Sequence, residues 1–202
     1  MKKTSETSEK TAEKKSEKAS EKTAKKKGLS VKTICYCAVM TALSVVANTF
    51  TIYFSVGNSN ALSFVYTVCF LSGALLGPFA GFIVGVCGDV LGWLINNTGG
   101  AFNPVITLVS GLIGLISGLV FFVAKKIKKE NALIPLTVIS YVLILLICTN
   151  LNTFAMYYYY MTAKYSLKAY YIIRMPKQVV FWAINMVLGI LLIKPLKKIL
   201  KL

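Results

Sequence analysis

The sequence predicts an all-α membrane protein of six transmembrane helices with both termini cytoplasmic. Three observations lead there. Hydrophobic residues make up 56% of the 202 positions and mean hydropathy is +0.67, far too apolar for a soluble domain of this length. Apolar runs of about membrane length recur along the chain, separated by short polar loops. Lysine clusters stand at three places that an even number of crossings puts on one side, as the positive-inside rule requires. A net charge of +16 would suggest nucleic acid in a soluble protein. Here the basic residues gather in a tail and between apolar runs, so membrane orientation accounts for them and no nucleic-acid partner is expected.

Residues 1–29 form a lysine-rich leader, expected to be a disordered cytoplasmic tail. Apart from Met1, its first 27 residues are Lys, Glu, Ser, Thr and Ala, with nothing large and apolar to bury. The tail could touch anionic lipid, but its glutamates dilute the charge. Residues 30–202 are the predicted membrane domain.

The first span runs from Val31 to Phe54 and ends in the polar loop 55–60. Within it Ala38 and Ala42 lie four residues apart beside Thr41 and Ser44, a smooth stripe that another helix backbone can approach closely, either in the same chain or in a partner. Ala61 to Leu76 is a short second span, broken by Gly77-Pro78. Phe79 to Ile95 is the third; its row of Gly81, Gly85 and Gly88 suits close helix contact and leaves room near Asp89. A polar hairpin holding Asn96, Asn97 and Asn103 turns the chain, and Pro104, with its fixed φ and missing donor, opens the next helix. Val105 to Ala124 is the fourth span and stops at the basic loop 125–129. Ala132 to Tyr160 is the fifth, and the four tyrosines that end it read as an interfacial belt or as a stacking surface for a flat ligand. The sixth, Tyr170 to Leu192, is followed by Lys194, Lys197, Lys198 and Lys201.

That last span carries Arg174, Lys177 and Gln178 at its beginning, three and four residues apart and so on one helical face. A cation inside a spanning segment costs from about 2.5 kcal/mol upward, so it usually lines a cavity, pairs with an acid or meets a ligand. Asp89 is the only acid inside any apolar run, and it is expected to share a site with the Arg174 face. The topology gathers Asp89, Asn96, Asn103, Arg174, Lys177 and Gln178 toward the outer surface. Two cations against one carboxylate favour an anionic guest: Arg174 offers a fork for a carboxylate or phosphate and Lys177 a point charge. Asp89 suits a pair of N–H donors such as the amino-pyrimidinone edge of a pterin. Two plainer readings stay open: an Asp89 ion pair that only locks helices together, and asparagines that only make turns.

The five cysteines sit in apolar segments, and Cys35-Tyr36-Cys37 lacks metal or redox spacing. With no histidine, neither a metal nor a disulfide is expected. Nor is there a phosphate loop, a zinc-protease motif or a histidine base, so no enzyme activity and no cofactor is expected. No inverted repeat of ion-coupled carriers is evident, and energy for transport would come from another subunit.

Three stretches carry a family resemblance: Ala38-Val39-Met40-Thr41-Ala42; the segment from Gly77 to Phe121, GPFAGFIVGVCGDVLGWLINNTGGAFNPVITLVSGLIGLISGLVF; and RMPKQ at Arg174 to Gln178. They resemble the substrate-capturing S component of energy-coupling factor (ECF) transporters, closest to the folate family, over about residues 30 to 200. The resemblance implies a six-helix bundle in the bacterial cell membrane that binds a vitamin from outside. It also implies docking through Ala38 and Ala42 on a membrane coupling subunit driven by two ATPase subunits. Asp89, Asn103, Arg174, Lys177 and Gln178 would be pocket residues. A self-sufficient secondary carrier and a ligand-free scaffold are the competing readings.

Overall fold

The computed structural model describes residues 31–50, 52–53, 61–95, 102–125 and 133–199. The leader, the 55–60 loop, Asn96 and the basic loop after Lys125 lie outside the described residues. The chain divides into two units, Met1–Ile34 and Cys35–Leu202. Of the first, the described part is the helical turn at 31–34; the second contains the other described elements.

The described residues form six α-helices: α1 (Val31–Thr49), α2 (Val65–Leu76), α3 (Pro78–Ile95), α4 (Pro104–Lys125), α5 (Leu133–Met156) and α6 (Leu167–Ile199). Five are long and apolar enough to cross a membrane, and the protein is a multi-pass membrane protein. α2 is not. Its 12 residues reach about 18 Å at 1.5 Å per residue, short of a hydrocarbon core about 30 Å thick. The expected second span is thus shortened to these 12 residues, because its first residues do other work. Ala61 and Leu62 form strand β2, antiparallel to β1 (Ile52–Tyr53), with Ile52 opposite Leu62. The same small ladder ends the first span early, at Thr49 rather than Phe54.

α2 stops at Gly77, whose φ of 105° is open to glycine at little cost. Pro78 then opens α3. The sharp reversal lays α2 against α3, and glycines let them meet at backbone distance. A Cβ on Gly81 would collide with the Gly73 backbone of α2 and the Gly114 carbonyl of α4, so three helices converge where none of them carries a side chain. Ser117 ties the same junction, its hydroxyl donating to the Phe70 carbonyl at 3.0 Å. Around it Phe70 meets Phe121 edge-on at 6.1 Å and Tyr141 at 4.5 Å, which fills this part of the bundle with apolar and aromatic contacts.

α5 and α6 bury more polar faces. On α5 these are Thr137, Ser140, Thr149, Asn152 and Thr153; on α6, Arg174, Gln178 and Asn185 share the buried stripe with Tyr170, Trp182 and Ile193. Beyond α5 the tyrosine run widens into a π-helical turn, Tyr157–Met161. Tyr158 and Tyr159 are exposed, while Tyr157 turns toward Tyr170 at 6.0 Å.

Candidate substrate-binding site

The α6 stripe resolves the predicted polar face into unequal parts. Arg174 and Gln178, one turn apart, point inward with 3% and 6% of their surface exposed. Lys177, off that line by one residue, is half-buried. The Arg174 guanidinium donates to the Tyr170 hydroxyl and lies 5.6 Å from the centroid of that ring. Its Nε is buried with no partner.

Asp89 does not neutralise it. Both carboxylate oxygens are taken by hydroxyls of α4, Thr107 Oγ1 donating at 2.7 Å and Ser110 Oγ at 3.3 Å. The helix-locking ion pair between Asp89 and Arg174 is therefore not what forms. The reason is local: Thr107 and Ser110 are three residues apart, so they face Asp89 together from the adjacent helix. Arg174 is the chain's one arginine, and every acid other than Asp89 lies in the leader or at Glu130. Within the described helices no second carboxylate exists to pair with it.

The sequence reading missed the residue that links these charges. Tyr66, in the first turn of α2, lies within electrostatic reach of both Asp89 and Arg174. Its hydroxyl accepts a long hydrogen bond from Asn152 Nδ2 of α5, 3.5 Å, and its ring stacks on Trp182 of α6 at 5.1 Å and 18°. Nearby on α5, Thr149 buries a hydroxyl with no partner. Lone polar residues in otherwise apolar segments were the available signal, and Tyr66, Thr149 and Asn152 all carry it. The signal is weak, because hydroxyls and single amides are commonplace in membrane helices.

Asn103 serves two ends. Its Oδ1 accepts the Val105 amide at 3.0 Å, the capping bond of α4, while its buried Nδ2 has no partner. The plain turn-forming reading thus explains half of this side chain. Asn96 lies outside the described residues. Ala38 and Ala42 are both exposed; α1 buries Met40 and Ser44 instead. The alanine stripe is therefore not used for packing against the described helices. Among the described residues no group of three His, Cys, Asp or Glu could hold a metal, and all five cysteines are free.

Buried hydrogen-bonding groups are left open at the start of α4, on α5 and on α6: Asn103 Nδ2, Thr149 Oγ1 and Arg174 Nε. Such an arrangement in an apolar helical bundle defines a membrane-embedded solute-binding protein. Residues 28–200 match the family described as ECF-type riboflavin transporter, S component, and the chain belongs to that family of transporter components. It is 28% identical over 156 residues to the folate transporter FolT of Clostridium novyi (strain NT), covering 77% of this chain and 84% of that one. It also superposes on the crystal structure of FolT bound with folic acid, with a TM-score of 0.67 and 25% identity over 82% of this chain and 95% of that one. Both agree with the folate-family resemblance read from the sequence.

Proposed function

We propose that this S component captures a folate-like anionic vitamin from outside and delivers it through a membrane coupling subunit driven by two ATPase subunits. One observation carries the choice of guest: a buried guanidinium with no carboxylate in the helices to meet it, while Asp89 is held elsewhere by Thr107 and Ser110. A buried unpaired charge is unfavourable by several kcal/mol, and an incoming carboxylate removes that penalty. In this reading Arg174 and Lys177 take the acid end of the guest. Asp89 takes N–H donors, while Gln178, Asn103 and Asn96 supply further hydrogen bonds. In the proposed orientation all six helices cross, the lysine clusters and both termini are cytoplasmic, and this end of the bundle opens outward.

The family description names riboflavin, which makes riboflavin the second reading. It carries no acid group, so Arg174 would stay uncompensated beneath it. Calorimetric titration of the purified protein with folic acid, riboflavin, thiamine, biotin and pantothenate separates the two. Folic acid is expected to bind most tightly; a preference for cationic thiamine, or for riboflavin, contradicts the reading.

Delivery requires an exposed docking face, and Ala38 and Ala42 present one. The chain should copurify with an ATPase module from the bacterial cell membrane, whereas a self-sufficient carrier would transport alone in liposomes. Ala38→Trp or Ala42→Trp is expected to leave binding intact and to block uptake by obstructing close helix approach. Uptake that survives both changes would show that the partner docks elsewhere.

A further inference from the structure

Tyr66 is anomalous in its helix. Ten of the twelve α2 residues are buried, and the two that keep accessible surface are Leu76, at the end of the helix, and Tyr66, in its first turn. Tyr66 nevertheless has partners on two other helices, Asn152 and Trp182. Protein interiors are close-packed, so a side chain held between helices that keeps accessible surface is a place where a guest can make contact. Trp182 covers one face of the Tyr66 ring, which leaves the opposite face as the one a guest ring would meet.

The pair is rigidly backed. Trp182 meets the Tyr141 ring edge-on at 6.1 Å and 66°. Three residues further along α6, Asn185 Oδ1 accepts from the Thr67 hydroxyl at 2.6 Å, and the Asn185 backbone carbonyl accepts from the Tyr141 hydroxyl at 2.9 Å. These bonds join α2, α5 and α6 directly behind the stack, so little ordering is left for a guest to impose.

We infer that Tyr66, backed by Trp182, is the residue that selects a planar heteroaromatic ring in the guest, which lies on the face of Tyr66 away from Trp182 and completes a three-layer stack. This rests on the proposed reading of the site and adds to it the part of the guest that charge alone does not specify. Aromatic stacking of this kind tolerates different ring systems, because every such ring offers a π-face. Planarity is thus selected here, and the acid is selected at Arg174.

The test titrates the full chain in detergent with four probes: folic acid, pteroic acid (which lacks the glutamate), p-aminobenzoyl-L-glutamate (which lacks the pteridine) and riboflavin. Tyr66→Leu is expected to weaken folic and pteroic acid about tenfold or more and to leave p-aminobenzoyl-L-glutamate within about twofold. Tyr66→Phe, which keeps the ring, should retain most of the affinity. Should Tyr66→Leu fail to fold, the unaltered protein still reports: stacking lowers and red-shifts the absorption band of the bound ring. Unchanged affinities in Tyr66→Leu, an equal loss for all probes, or an unshifted ring band at saturation would each overturn the inference. If riboflavin binds, folates do not, and Tyr66→Leu weakens riboflavin, the stack stands while the folate reading fails. If no flat probe binds, both fall.

Discussion

Replacing Arg174 by methionine should change binding and stability in opposite directions, which an ordinary core mutation does not do. The side chain is 3% exposed and its Nε has no partner, so the unliganded protein carries a desolvation penalty of several kcal/mol for that ion. Set against this are one hydrogen bond to Tyr170 and a contact with the Tyr170 ring, together worth about 2 kcal/mol. Arg174→Met should therefore leave the unliganded unfolding temperature unchanged or raise it. Binding responds the other way. A bidentate, charge-assisted contact to a carboxylate is worth about 3 kcal/mol, so the affinity for folic acid should fall roughly a hundredfold. Calorimetry and thermal unfolding in the same detergent measure both quantities. Had Arg174 been half of a locking ion pair, its removal would destabilise the protein by about 3–5 kcal/mol. A clear drop in unfolding temperature with folic acid affinity unchanged within about threefold would refute the argument.

Further predictions rest on other contacts. Asp89→Asn keeps an oxygen for Thr107 or Ser110, so unfolding should shift little, while affinity for pteroic acid drops about tenfold and that for p-aminobenzoyl-L-glutamate holds; equal losses for both would place Asp89 away from the ring. Asn185→Leu removes the 2.6 Å bond of the Thr67 hydroxyl and leaves it only the 3.5 Å contact with the backbone carbonyl at 185, which should destabilise the protein by about 1–3 kcal/mol. Adding Thr67→Val should recover part of that loss, and strict additivity of the two in thermal unfolding would show that their bond contributes nothing. Gly81→Val drives a side chain into the Gly73 and Gly114 backbones, with an expected destabilisation of about 1–3 kcal/mol; an unaltered unfolding temperature would mean the three-helix junction is loose.

What the sequence made legible was set by charge and by length. Long apolar runs marked five spans to within a few residues, because a membrane leaves helices little alternative. α2 misled the bounds of the second span: residues 61–76 are mostly apolar, but pairing Leu62 with Ile52 takes the first residues out of the helix, and such pairing is not written in hydropathy. Arg174 and Gln178 stood out as costly residues and are buried. Lys177 did not follow them, since three residues is less than one helical turn and places it at the margin of the stripe. The orientation of Asp89 was not legible, because it depends on two hydroxyls, Thr107 and Ser110, that are commonplace in membrane helices. Tyr66 was hidden for a similar reason: what marks it is residual exposure inside a buried helix, a property that exists only once the helices are packed.

The single arginine of this chain makes its guanidinium individually observable. Protein produced with ¹⁵N-labelled arginine gives one side-chain Nε resonance, that of Arg174. Saturating folic acid should move that resonance and protect its proton from exchange with water, as an unpaired donor acquires a carboxylate. A resonance that stays unmoved and unprotected at full occupancy would show that the guest binds without Arg174, and would contradict the account at its centre.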